Sequence, residues 1–173
     1  MSWEMVRLGD VVTLQRGHDL PAVNFVEGQY PVIGSNGIIG YHNEYTTEAP
    51  CLTIGRSGSV GRTYFYEGKA WAHNTSLYVK KYQSIDLRFF YHVLNNLNLA
   101  QFASYTAVPT LDRNNLTNIL IPLPTLDEQR CIATEIDRQL AAVEKAKKAI
   151  QTQLDTINAM PSAILRQAFS GHY

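Results

Sequence analysis

The chain has 173 residues and sets 15 Lys and Arg against 15 Asp and Glu, a formal net charge of zero. That length fits one ordinary domain, or a domain with one long appendage. The charge balance excludes a protein that coats nucleic acid by bulk positive charge, a polybasic membrane binder and an acidic disordered tail. Hydrophobic residues make up 45%, which suits a folded core, and no stretch approaches the ~18 apolar residues of a membrane span. Met1 to Arg7 lacks the basic-then-apolar order of a signal peptide. The two cysteines, Cys51 and Cys131, are too far apart and too few for a disulfide framework or a zinc site, so reduced thiols in a cytoplasm are expected.

Short apolar runs between turn signals open the chain. Val11 to Leu14 precedes Arg16-Gly17, and Tyr30 to Ile33 precedes Gly34-Ser35-Asn36-Gly37. Ile38-Ile39 follows at once, and Asn-Gly between apolar pairs predicts a hairpin. Cys51 to Ile54 leads into a glycine-rich loop from Gly55 to Gly61. Thr63 to Tyr66 meets the turn Glu67-Gly68, and Ser76 to Val79 reads as a further strand. The expected unit is mostly antiparallel β. Asp86 to about Tyr105 then reads as a helix, with Leu87, Phe90, Tyr91, Leu94, Leu97 and Phe102 on one face.

Ten of the eleven glycines lie between Gly9 and Gly68, whereas the part from Leu126 onward holds only Gly171 and Pro161, so the chain changes character between them. Ile121-Pro122-Leu123-Pro124-Thr125 marks the change, because two prolines two apart bias the backbone to extended forms and cannot sit inside a helix. The fold class is therefore α+β: a β-rich domain with a packed helix over residues 1–125, then a long coiled-coil helix and a short terminal helix over 126–173. Thr125 is the expected N-cap, with Glu128 completing a capping box. Ile136, Val143, Ile150 and Ile157 recur every seven residues and are assigned to position a. Ala133, Leu140 and Leu154 are assigned to d, where Lys147 interrupts the pattern. Pro161 is expected to end a rod of roughly 33 residues, about 50 Å at about 1.5 Å each. A single apolar stripe on so long a rod calls for a partner helix, from another subunit or a second copy.

Catalytic motifs are absent. Gly55 to Gly61 is GxxGxxG, without the lysine and following helix of a phosphate loop, and Gly55-Arg56-Ser57-Gly58-Ser59 fails GxSxG. The histidines, His18, His42, His73, His92 and His172, show no metal-ligand spacing. Cys51 begins an apolar run and reads as a buried structural thiol. No enzyme, metal or cofactor is expected in this chain.

A binding surface is the remaining function class. Between Gly55 and Arg88 six basic residues face two acidic ones, while Met1 to Ile54 holds two basic and six acidic residues. Zero net charge thus conceals a segregation along the chain. Arg with Asn, Ser and Thr is the set that reads base edges and phosphates, and glycines let a backbone approach a groove closely. The candidates are Arg56, Ser57, Ser59 and Arg62 in the glycine-rich loop, with His73, Asn74, Lys80 and Lys81 near it. Arg113 and Asn114, in the loop from Thr110 to Asn115, are second-rank. Read alone, that last loop is equally a helix N-cap leading into Leu116, and a glycine-rich loop is often only a tight turn.

The segment Ile119 to Ile132, with Pro122-Leu123-Pro124 leading to Glu128-Gln129, resembles the junction of type I restriction–modification specificity subunits. Ala163-Ile164-Leu165-Arg166-Gln167-Ala168-Phe169-Ser170-Gly171 resembles that family's end-of-helix segment. Trp3 to Asp10, Tyr30 to Gly34 and Gly55 to Gly61 are similar to pieces of its target-recognition domains. The resemblance covers essentially the whole chain. It implies a non-catalytic subunit that recognises double-stranded DNA at a split target site. S-adenosylmethionine-dependent adenine methylation and ATP-driven restriction would reside in modification and restriction partner subunits. A typical member carries two recognition domains and two helical spacers, and this chain has room for one of each. The expectation is a half-subunit that homodimerises through antiparallel helices along Ile136, Leu140, Val143, Lys147, Ile150, Leu154 and Ile157. The competing readings are a β-rich ligand- or sugar-binding module using Tyr64, Tyr66 and Trp71, an adaptor whose coiled coil is its whole function, and a fragment of a longer specificity protein.

Overall fold

A computed structural model describes residues 3–104, 107 and 109–171. The chain divides into two compact units, Met1–Ala133 and Thr134–Tyr173. Among the described residues the first holds nine strands: β1 (Glu4–Arg7), β2 (Val12–Arg16), β3 (Tyr30–Gly34), β4 (Gly37–His42), β5 (Cys51–Gly55), β6 (Thr63–Tyr66), β7 (Trp71–Ala72), β8 (Ser76–Tyr82) and β9 (Leu120–Leu123). Its helices are α1 (Leu8–Val11), α2 (Leu87–Asn96), α3 (Arg113–Leu116) and the first turns of α4 (Leu126–Phe169).

Three sheets form, in strand orders β2-β8-β5-β6, β4-β3-β7 and β1-β9. Pairing is antiparallel except between β3 and β7, where Val32 lies opposite Trp71. The Asn-Gly hairpin is present as β3–β4, closing at Gly34 opposite Gly37. The four-stranded sheet and α2 enclose the main core. Leu14, Leu52, Ile54 and Leu77 from the sheet meet Phe89, Phe90 and Leu94 from α2, with Leu8, Leu99, Leu111, Leu116 and Ile121 closing the sides. Every one of these side chains is almost wholly removed from water. A fully buried side chain of this size is worth about 1.5–3 kcal/mol of transfer free energy, so this cluster fixes where the loops at the sheet ends emerge.

Three expectations require correction. The helix expected from Asp86 to about Tyr105 ends at Asn96; Leu97 is extended, and a 3-10 turn follows at Leu99–Phe102. Asn95, Asn96 and Asn98 are weak helix formers, and the turn lets Leu99 enter the core. Tyr105 lies outside the described residues. Pro161 does not end α4, which continues to Phe169 as one helix of 44 residues. Proline removes one helical hydrogen bond, to Ile157, at roughly 3 kcal/mol. Helix formers on both sides, Ala159-Met160 and Ala163 to Ala168 among them, keep the remaining backbone helical. The heptad letters also reverse. Three residues separate Ala133 from Ile136 and four separate Ile136 from Leu140, so Ala133, Leu140, Lys147 and Leu154 occupy a, and Ile136, Val143, Ile150 and Ile157 occupy d.

The capping box forms as expected. Thr125 Oγ1 accepts from the Glu128 backbone N–H at 3.4 Å, and Glu128 Oε2 accepts from the Thr125 N–H at 2.9 Å. The bond from the Thr125 N–H foremost, and then one that Thr125 Oγ1 donates to Glu128 Oε2 at 2.8 Å, hold the Glu128 carboxyl below the usual carboxylate range. Gln129, one residue on, is buried and makes three hydrogen bonds. It accepts from the Asp86 backbone N–H at 2.7 Å and donates to the carbonyls of Pro124 at 2.8 Å and Ser84 at 3.1 Å. Ala133 is buried one turn later, so the first two turns of α4 pack with the first unit. In the second unit the stripe lies bare: Leu140, Val143, Ile150, Leu154, Ile157 and Ile164 are all exposed. Among the described residues no helix is long and apolar enough to cross a membrane.

Candidate nucleic-acid interface

Three connections converge at one end of the four-stranded sheet. The glycine-rich loop joins β5 to β6 and is closed by its own backbone: Gly55 N–H donates to Arg62 O at 2.7 Å and Gly61 N–H to Gly55 O at 2.9 Å. The turn His73 to Thr75 lies against it, because the N–H groups of Arg56 and Ser57 both donate to Thr75 O, at 2.8 and 3.1 Å. The β3–β4 turn joins through Thr75 Oγ1, which accepts from Ser35 N–H at 3.2 Å, and through Ser59 Oγ, which donates to Asn36 Oδ1. A fourth segment closes the group, with Leu111 N–H donating to Arg56 O at 2.8 Å and Ser57 bridged to Thr110. Glycine is required at three places in the loop, Gly58 among them with φ +81°. A Cβ on Gly55 would stand 2.1 Å from Ser59 O, and Gly61 adopts φ +82°.

The predicted residues separate into two places. Arg56, Ser57, Ser59, Arg62, His73 and Asn74 come together at this loop end. His73 Nδ1 shares a hydrogen bond of 3.0 Å with Thr75 Oγ1, and Asn74 donates to Asp19. Lys80 and Lys81, expected near the loop, stand away from it. Lys80 is four residues beyond Ser76 along β8, about 13 Å at about 3.3 Å per residue. It is the extra residue of a β-bulge, since Thr13 pairs with Lys81 and Leu14 with Val79. Arg113 and Asn114 open the one-turn helix α3 behind the Asp112 cap, which accepts from Asn114 N–H at 2.8 Å. They line a shallow cleft with Gly9, Val12, Thr13 and Leu14, while Lys81 lines a neighbouring one with Asp10 and Thr13. These three flank the start of β2, at the opposite end of that strand from Arg16.

The excess of basic residues between Gly55 and Arg88 resolves accordingly. Lys69 pairs with Glu48 at 2.8 Å, and Arg88 with Glu67 at 3.7 Å while stacking over the Phe65 ring at 4.7 Å. Arg56 and Arg62 make no ion pair among the described residues, and both are partly open to solvent. The loop end therefore carries two available guanidinium groups among hydroxyls and amides, the donors suited to phosphates and base edges. Sequence reasoning passed over two residues that assemble this surface. Asn36 stands in the Asn-Gly pair as a turn signal, and Thr75 carries no local signal of its role. Arg16 and Asp19, 3.4 Å apart and exposed, extend the same surface through the Asp19–Asn74 contact.

Burial pushes the Cys51 thiol up to about 11, so it stays protonated near neutral pH. Among the described residues no group of three or more His, Cys, Asp or Glu could hold a metal ion.

A family described as the type I restriction modification DNA specificity domain matches residues 1–154, spanning the β-rich unit and much of α4. The chain belongs to this family. The specificity domain is 30% identical over 137 residues to the EcoprrI type I restriction enzyme specificity subunit of Escherichia coli, covering 76% of this chain and 34% of that protein. Its fold is shared with the type I restriction-modification S subunit from M. genitalium, at a TM-score of 0.71 and 19% identity, over 99% of this chain and 48% of that one. It is shared also with the HsdS subunit from Thermoanaerobacter tengcongensis, at 0.62 and 23%, over 99% and 46%. The chain thus spans about a third of the curated relative and about half of each solved structure.

Proposed function

We propose that this chain is the DNA-recognition half of a type I restriction–modification specificity subunit, and that two copies pair through α4 to address a split, symmetric target. The observation that carries this is the specificity-domain match across both the loop-bearing unit and the helix. The convergence of Arg56, Arg62, Ser57, Ser59, Asn36 and Asn74 on one sheet end gives that family role a physical surface. Each copy reads one half-site, and the helices set the spacing between them. Modification and restriction subunits bring S-adenosylmethionine, ATP and the chemistry, so the chain itself is not an enzyme. Two available guanidiniums on a neutral chain give modest electrostatic grip, which suits a reader whose partner subunits hold the backbone.

The test is co-expression with the modification subunit of its own system, followed by genome-wide mapping of N6-methyladenine. A two-part palindromic motif that disappears when this chain is omitted is the expected result. Methylation that does not depend on the chain would overturn the assignment.

A further inference from the structure

The exposed stripe on the second unit has one polar interruption, Lys147, at an a position between Val143 and Ile150. Its ammonium lies 2.7 Å from Glu144 Oε1, at the adjoining e position, and both side chains are more than half exposed. An antiparallel pair of these helices stacks a residues of one chain on d residues of the other, in only a few registers one heptad apart. In one of them Leu140 faces Ile150 of the second copy, and Ile136 faces Leu154 of the second copy. Lys147 then faces Val143 of the second copy, with Glu144 of the second copy beside it. Sliding one heptad towards the C-terminus places Lys147 against Ile150 of the second copy. There the nearest carboxylates of the second copy, Glu144 and Asp155, are five or six residues away, roughly 8–9 Å along the axis at about 1.5 Å each. Sliding the other way places Ile150 and Leu154 opposite Ala133 and Gln129, which are already buried against their own unit, whereas the first register sets only Ile157 and Pro161 there and leaves Ile150 and Leu154 paired with Leu140 and Ile136.

We infer that the occupant of this stripe is a second copy of the chain, and that Glu144 and Lys147 of both copies form a four-charge cluster at the two-fold axis that fixes the register. The inference rests on the dimeric reading above and adds what selects the alignment. A buried or half-buried polar residue at one a position costs some stability and excludes registers in which it lacks a partner. Each Lys147 has two carboxylates within reach in this register, its own Glu144 and that of the second copy. Cys131 occupies an f position and points away from the seam.

Charge reversal in the full chain tests this. Glu144→Lys gives four cations at the axis and Lys147→Glu four anions, so each variant alone dimerises at least about tenfold more weakly than the parent, from two lost pairs and two new repulsions. Mixed together, they regain two attractive contacts of the 147–144 type between chains. Native mass spectrometry of mass-tagged chains should show heterodimers well above their statistical share. The double variant Glu144→Lys/Lys147→Glu restores the homodimer, with circular dichroism confirming unchanged helix content in all three. Either single variant dimerising like the parent, or a mixture without preference, overturns the register. If wild-type chains still direct methylation to a palindromic site while the mixture shows no preference, the register falls and the function stands. Preferential pairing without any dependence of methylation on the chain upholds the register and removes the function.

Discussion

Replacing Gln129 with alanine strips three backbone groups of their partner at the point where the β-rich unit hands over to α4. The Asp86 N–H, at the N-terminus of α2, loses an acceptor at 2.7 Å, and the Pro124 carbonyl loses a donor at 2.8 Å in a buried setting. A buried polar group left unsatisfied costs about 1–3 kcal/mol. Ser84 is exposed, so water replaces the third bond at little cost. Two stranded groups together with the lost packing of the buried side-chain stem give a destabilisation of about 3–4 kcal/mol. For a unit of this size that lowers the melting temperature by about 10 °C. Urea unfolding followed by tryptophan fluorescence measures it, because Trp3 and Trp71 both lie in the first unit. Gln129→Glu makes the matching control. Its carboxylate keeps the bond from Asp86 but faces two carbonyls without a proton to give. Burial and those carbonyls raise its folded pKa, so its deficit should be full above that value, shrink as pH falls through it and be smallest below the ordinary carboxyl pKa. A Gln129→Ala loss below about 1 kcal/mol, or a Gln129→Glu variant indifferent to pH, would refute the assignment of Gln129 as the fastening of the helix start.

Arg56→Ala with Arg62→Ala should weaken DNA binding by the assembled complex and reduce the salt dependence by about one to two phosphate contacts, with unchanged circular dichroism; an unaltered salt titration would move the contact surface elsewhere. Lys80→Ala with Lys81→Ala should act separately from that pair, so the four-fold variant should show additive losses in the same titration. Since the Glu128 carboxyl is held low by Thr125, its contribution is fully present above the unfolded carboxyl pKa and disappears as pH falls through the folded one. Thr125→Ala should therefore flatten part of the acid limb of a stability–pH curve measured by thermal melting. Iodoacetamide should modify the native chain at the exposed Cys131 and spare Cys51 until the protein is unfolded, as peptide mass mapping would show.

Local chemistry made much of the first unit readable. Asn36-Gly37 fixed a hairpin, Cys51 to Ile54 a core strand, and Thr125 with Glu128 a helix start, because each signal lies within a few neighbouring residues. What escaped depends on residues far apart in the chain. The ribbon that pairs Glu4 with Leu123 and Val6 with Ile121 has no local signature, and β7 is only two residues long. Lys80 and Lys81 looked close to the glycine-rich loop by charge counting, yet a strand carries its ends apart. Gln129 stood in the junction motif as an identity without a role until its three backbone partners were in place. Pro161 shows the reverse error, where a strong local breaker was outweighed by the helix formers around it.

The loop end that carries Arg56, Ser57, Ser59 and Arg62 is assembled largely by main-chain hydrogen bonds, from Gly55, Arg56, Ser57 and Gly61 to carbonyls of Arg62, Thr75 and Gly55. Main-chain bonds do not depend on which side chain a residue bears. The frame at this end can therefore keep its shape while the outward groups are exchanged. Under the proposed function, a new target preference would then arise by substitution at Arg56, Ser57 or Arg62 without redesign of the core, provided Gly55, Gly58 and Gly61 stay as they are. On that reading, retargeting would be a matter of rewriting a few side chains on a fixed scaffold.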